Sequence, residues 1–277
     1  MPTLADIQKL RKATHAGISA CREALLHSKG DFQEAIAFLR KKGIKAAGKR
    51  ADRQAHEGSV FAEVSEKQDF GVILALGCET DFVSRNDAFK ELGKRLIALA
   101  LKHQCTTAAA LLELTEGAST LAEQIQLASG TMGEKIELVG YETLKGKTVG
   151  CYVHTGHWLG ALAALEHPPT PAISQAAKDI AVQVVVSNPL AINGDDLDPK
   201  LLEQERKRIQ GATQVLDKPA HILAKIVESQ EKKFIQEQTL IHQPFVKDGS
   251  KNVAAYLQSL AGEVTISGFQ RLQIARP

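Results

Sequence analysis

The residues with the most chemical potential stand together at Cys78-Glu79-Thr80-Asp81-Phe82-Val83. A thiol, two carboxylates and a hydroxyl meet a phenylalanine there, directly after an apolar run from Gly71 to Cys78. A run of that kind, bounded by turn signals, reads as a strand buried on both faces. The residues after it read as a strand-to-helix corner, a place where side chains are presented to partners. Asp81 and Phe82 allow two readings. In the first, Asp81 or Thr80 caps a helix, and Phe82, seven residues before Phe89, joins that helix's apolar face. In the second, they are a probe aimed at another molecule.

Other sets of reactive residues dissolve on inspection. Lys145-Gly146-Lys147-Thr148 imitates the end of a phosphate-binding loop, but Gly140 is one residue too far away, and the segment leads into a strand instead of a helix. Cys151, His154 and His157 have ligand-like spacing, yet residues three apart on a strand face opposite ways. Asp195, Asp196 and Asp198 follow Asn193-Gly194 and precede Pro199, as expected of a turn and a helix start. No nucleophile, base and oxyanion site assemble. A binding protein is expected, not an enzyme, with no metal or cofactor site of its own. Two more places could make contacts. His154 shares a strand face with Gly150 and Tyr152, opposite the aliphatic face, and is expected to be accessible. In Gln243-Pro244-Phe245-Val246 the proline marks an edge strand or turn, and Phe245 is either a contact or a core plug.

Composition narrows the classes. A net charge of +2 over 277 residues is too balanced for a nucleic-acid coat or a membrane-surface protein. The apolar fraction of 44% predicts a real core. Cys21, Cys78, Cys105 and Cys151 lie far apart, which suits reduced, mostly buried thiols in a reducing compartment. No apolar run approaches the roughly 20 residues of a membrane span, and the first residues lack a signal-peptide pattern. A soluble cytoplasmic protein is expected.

The elements that must position these residues follow from periodicity. Residues 3–42 carry three short helical patterns: Leu4, Ile7 and Leu10; Ile18, Cys21 and Leu25; Phe32, Ala35, Ile36 and Leu39. Thr3 can cap the first, and Asp31 with Glu34 has capping-box spacing for the third. The stretch Arg40–Arg53 holds seven basic residues and one acid. Without interleaved aromatics it reads as a helix end and linker more than as a phosphate-binding arm. Alternation from Gly58 predicts a strand before the buried one. A long helix through Phe89, Leu92, Leu96 and Leu99 comes after it, with further helices at about 107–114 and 121–129, the latter opened by Thr120 and Glu123 and stopped near Gly130.

A second strand block spans Ile136 to Glu166, and Gly160, Ala164 and Leu165 match Gly71, Ala75 and Leu76 in register. A helix over about 172–187, ended by Asn188-Pro189, comes next. The middle of the chain therefore looks like a diverged duplication of a strand, strand, helix unit. Pro199–Ala212 and Pro219–Gln238 predict a charged helical hairpin with a narrow apolar stripe. A helix near Asn252–Leu260 and a strand from Val264 to Ile274 close the chain. The expected class is α+β: a three-helix bundle at 1–45, a basic linker at 46–57, and core halves at 58–140 and 141–277 with antiparallel sheets, the second half carrying the hairpin at about 199–238.

Cys78-Glu79-Thr80-Asp81-Phe82-Val83 resembles the C-Q-T-D-F-V signature of the translation elongation factor Ts family. The resemblance extends over nearly the whole chain. Ala16-Gly17, Cys21, Ala24-Leu25, Gly30-Asp31, Ala35-Ile36 and Lys45-Ala46-Ala47 are in the order of the family's ubiquitin-associated-like domain. Ser187-Asn188-Pro189 and Gln243-Pro244-Phe245-Val246 match its S-x-P and Q-P-F-V. The hairpin resembles its coiled-coil protrusion. Where the family usually has T-G-A-G-M-M-[DE]-C-K-K, this chain has Thr14-His15-Ala16-Gly17-Ile18-Ser19-Ala20-Cys21-Arg22-Glu23, so that contact is built from different side chains. The C-terminal helix of many members, beyond the last strand, is expected to be missing.

The resemblance implies guanine-nucleotide exchange on elongation factor Tu, a GTPase. By motif, Asp81 and Phe82, flanked by Thr80 and Val83, would enter the partner's GTPase domain and disturb its Mg²⁺ site. His154 would press on another helix there, and Ile18, Ser19 and Arg22 would grip the same domain. Phe245, Val246 and Lys247 would hold the partner's far end. One-to-one and two-to-two complexes, and homodimerisation of this chain, are all compatible with the sequence. The competing readings are a nucleic-acid or ribosome-associated protein using the basic stretch, and a ubiquitin-type adaptor using the bundle.

Overall fold

A computed structural model describes residues 2–14, 16–50, 52–214, 219–260 and 262–274. The joint expected between the two hairpin helices, and the chain end at Pro277, lie outside the described residues.

Helices α1 (Leu4–Thr14), α2 (Ile18–His27) and α3 (Phe32–Gly48) form the N-terminal bundle. Thr3 and Asp31 cap as expected: the Asp6 N–H donates to Thr3 Oγ1 (3.2 Å) and the Glu34 N–H to Asp31 Oδ1 (2.7 Å). Leu10, Cys21, Leu25, Ala35 and Leu39 make the bundle's core. Ile18, read from spacing as part of that pattern, is instead 55% exposed at the first position of α2. The third helix continues into the basic stretch as far as Gly48. It does so because it packs along the core: a Cβ on Gly43 would sit 3.2 Å from Leu127 Cα.

Strand β1 (Glu57–Val64) pairs antiparallel with β2 (Phe70–Cys78), which is buried throughout. A single turn, α4 (Asp81–Ser84), precedes the long α5 (Asp87–Lys102). The expectation of one helix carrying Phe82 and Phe89 on one face fails here. Asn86 starts α5 afresh, its side chain accepting the Ala88 N–H (2.8 Å), so the seven-residue spacing crosses a break. After α6 (Ala108–Glu113), a minimal pair β3 (Thr115–Glu116) and β4 (Ser119–Thr120) leads to α7 (Leu121–Met132). The Thr120–Glu123 capping box is present, and α7 runs through Gly130 to stop at Gly133, whose φ of 81° only glycine tolerates easily. Strand β5 (Glu137–Lys145) then joins the far side of β2.

The second half repeats this order. Strands β6 (Thr148–Val153) and β7 (Leu159–Leu165) pair antiparallel, and α8 (Pro171–Ser187) comes after them, closed by Asn188 at φ 45°. The charged helices α9 (Pro199–Gln214) and α10 (Ala220–Gln238) come next, with Arg206 bidentate on Glu231 between them. A small hairpin, β8 (Pro244–Phe245) with β9 (Asp248–Asn252), precedes α11 (Val253–Gln258) and β10 (Ile266–Gln273), which pairs with β7. The strand orders are β1-β2-β5 and β10-β7-β6, each with the buried glycine-bearing strand in the middle.

These two sheets pack face to face, with helices outside. Val72, Leu74 and Leu76 point to α5 and α7, whereas Ile73 and Ala75 meet Leu162 across the sheets. Ala161, Ala163 and Leu165 point to α8. The glycines set the closeness of the sheets. A Cβ on Gly71 would lie 2.8 Å from Val149, and one on Gly160 would lie 3.0 Å from Val60. Matching residues of the two halves thus touch each other's partners.

Packing also decides what covers each face of β6. A Cβ on Gly150 would come within 2.3 Å of the Ala177 backbone, so this face of β6 lies beneath α8 and not in solvent. The Cys151 face meets the other sheet. All four cysteines are free thiols, and Cys151 alone is half-buried. Among the described residues no group of His, Cys, Asp and Glu could hold a metal ion, and no helix is long and apolar enough to cross a membrane.

Candidate functional site

The corner after β2 is built from both ends of the core's first half. Phe82 is 83% exposed, whereas Phe89 is fully buried. Of the two readings of this pair, cap-and-core is therefore wrong for Phe82. Val83 packs against the helix-side core and holds the turn down from below. Asp81, half-exposed, pairs with the exposed Arg85 (3.0 Å). Thr80 does not cap α4 with its side chain. Its hydroxyl turns inward and donates to Glu134 Oε1 (2.6 Å).

Glu134 is the residue that the sequence did not disclose. Its Oε2 also accepts the N–H groups of Glu79 (3.1 Å) and Thr80 (2.9 Å). Glu79 answers in kind: its Oε1 accepts the Lys135 N–H (2.6 Å), and Arg53 pairs with its carboxylate (3.1 Å). Arg50 Nε donates to the Gly133 carbonyl (3.0 Å). No local pattern could reveal these partners: Glu134 and Lys135 lie more than fifty positions from the corner, and Arg53 lies 26 positions before Glu79. The one available signal was Gly133, which ends α7 and aims Glu134 back. Cys78 sits beneath the corner. Burial, with the nearby Glu134 and Glu57 charges adding, pushes its thiol up to about 12.

The other predicted residues are spread over the surface. His154 is half-exposed just past β6, its Nδ1 3.3 Å from the Tyr152 hydroxyl and its ring edge-on to Trp158. Ile18, Ser19 and Arg22 are exposed on α2. Phe245 resolves to a core plug, 4% exposed and stacked on Tyr256 at 4.1 Å. Val246 and Lys247 remain outside, held by α8: the Val246 N–H donates to Gln183 Oε1 (2.8 Å), and Lys247 pairs with the buried Asp179 (2.6 Å). No enclosed site gathers these groups. They are separate points, each on its own element.

A family model for "Elongation factor TS" matches residues 79–276, starting within the corner. The chain belongs to the elongation factor Ts family. It is 40% identical to the elongation factor Ts of Amoebophilus asiaticus over 272 residues, covering 98% of each chain. Elongation factor Ts of Christiangramia forsetii is 35% identical over 272 residues, again 98% of each, and that of Chlorobaculum parvum 36% over 279 residues, 97% of each. Membership makes this chain a factor of translation elongation in protein biosynthesis, and the α+β arrangement of antiparallel sheets and helices agrees with it.

Proposed function

We propose that this chain is a guanine-nucleotide exchange factor for elongation factor Tu. It binds the GDP-bound partner, disturbs the Mg²⁺ and phosphate site, and promotes GDP release so that GTP can bind. The observation that carries this reading is the exposure of Phe82 on a corner whose incoming backbone is tied down at Glu79 and Thr80. A large apolar side chain held in water by a rigid mount gains burial only on a partner. Full burial of such a group contributes roughly 1.5–3 kcal/mol. The GDP-bound partner must open to receive it, so the wedge favours the open, nucleotide-free state. By linkage, chain and GDP then weaken each other's binding equally. Displacing Mg²⁺ ligands loosens the phosphates that the ion ties to the protein. One wedge is too small for a large acceleration. Asp81, His154, the Ile18–Ser19–Arg22 face and Val246 with Lys247 share the task, with Phe245 supporting the last two from beneath.

Residues 1–45 serve as the ubiquitin-associated-like docking module and 46–57 as its connector. Residues 58–140 and 141–277 are the duplicated core halves, and α9 with α10 is the coiled-coil protrusion. The matching strand orders and the exchanged Gly71–Val149 and Gly160–Val60 contacts support the duplication. The working compartment is the cytoplasm. The nucleic-acid reading is the weaker one: four of the seven basic residues of the stretch, Arg40, Lys42, Arg50 and Arg53, have partners within the chain.

Release of fluorescent GDP from purified elongation factor Tu tests the proposal. Addition of the chain is expected to accelerate release, and Asp81→Ala with Phe82→Ala to lose most of that acceleration. Unchanged release with the wild-type chain would overturn the reading.

A further inference from the structure

We propose that Glu134 is the positioning residue of the exchange site, acting through Thr80 to fix the direction in which Asp81 and Phe82 point. The inference rests on the proposed exchange function. Helix α4 is a single turn of four residues. A lone turn does not hold its own shape in water, because nucleating a helix fixes several dihedrals for one hydrogen bond. Its usual local support is also missing, since the Thr80 side chain makes no cap bond to it. Direction must be imposed from outside. The Glu134 carboxylate does this by taking three donors from two consecutive residues, Glu79 N, Thr80 N and Thr80 Oγ1. Hydrogen bonds to an ionised acceptor are roughly twice as strong as neutral ones.

The clamp is itself anchored. Gly133 turns the chain at φ 81°, Ser129 Oγ donates to the Glu134 carbonyl (2.5 Å), and Glu79 binds the Lys135 N–H in return. Each acid therefore secures the backbone beside the other. The end of α7 and the corner after β2 are locked as one piece. None of these groups needs to touch the partner. Their effect is to remove the ordering cost that a floppy wedge would meet on entry.

Two readouts test the assignment. In the free chain, Glu134→Gln loses one acceptor oxygen and the charge. The Glu79 and Thr80 amides should then exchange hydrogen at least about tenfold faster, while β2 stays protected. In the GDP-release assay, the maximal rate at saturating chain should fall about tenfold, as expected for losing a charge-assisted hydrogen bond. The half-saturating concentration should move less than about threefold, because contacts away from the corner survive. Simple destabilisation does the opposite: it lowers the folded fraction, raises the half-saturating concentration and leaves the plateau intact.

Thr80→Val, which removes the hydroxyl and keeps Glu134, carries the same test should Glu134→Gln fail to fold. Thr80→Ser, which keeps the hydroxyl, should hold the wild-type rate. A full maximal rate in either Glu134→Gln or Thr80→Val, with the wild type active and Phe82→Ala impaired, overturns the inference alone. An inactive wild type overturns the exchange reading and this inference with it.

Discussion

Two phenylalanines show how position separates structure from contact. Phe82 is almost wholly in solvent, and Phe245 is inside, stacked on Tyr256. Phe82→Ala should therefore change stability by less than about 0.5 kcal/mol in urea unfolding, as surface substitutions do. Phe245→Ala should cost about 3–5 kcal/mol, the range for emptying a buried aromatic site. Cys78 allows a pH prediction at the same scale. Its folded thiol is raised to about 12 from an ordinary 9.0, chiefly by burial. A raised value means that the folded state holds the proton more tightly. The resulting stability is complete below about pH 9 and is lost as pH climbs toward 12. Urea midpoints of the wild type should fall across that window, and Cys78→Ala should show a shallower slope.

At the scale of elements, two glycines decide how closely helices approach sheets. On α5, a Cβ at Gly93 would come within 2.1 Å of the Phe61 ring. On β6, a Cβ at Gly150 would come within 2.3 Å of the Ala177 carbonyl carbon. A ring end can rotate away, but a helix backbone cannot move without shifting α8. Gly150→Ala should thus be the costlier change, about 1–3 kcal/mol or more by urea unfolding, with Gly93→Ala below it. The break between α4 and α5 belongs to the same scale. Asn86 restarts the helix, and its loss in Asn86→Ala should cost about 1 kcal/mol, as for other caps. That break, more than any feature of Phe82 itself, is what keeps the side chain off the apolar face of α5.

Across the whole molecule, the bundle and the core are joined by side-chain packing as well as by the connector. Leu127 of α7 and Ala118 pack into the bundle's core, and Gly43 lets α3 lie directly on α7. Arg50 and Arg53 tie the connector to Gly133 and Glu79, at the base of the corner that carries Phe82. The bundle should therefore unfold with the core in a single calorimetric transition. Leu127→Asp, which puts a charge into that contact, should split the transition in two.

Neighbouring residues account for the parts of the fold whose causes are local. Caps at Thr3, Asp31 and Thr120, the buried run of β2 and the one-sided stripe of α5 all arise from neighbours within a turn or a strand. The tip itself was visible as a signature, though its physics pointed two ways. Tertiary structure ruled out the core reading of Phe82, because its exposure depends on where α5 restarts and on what grips Thr80. The grip comes from Glu134, far along the chain, and no period of 2 or 3.6 relates such residues. The same reason explains Phe245. The proline before it marked an edge strand or turn, but whether the ring is a contact or a core plug depends on Tyr256 of α11, which stacks on it, and that is settled by packing between elements.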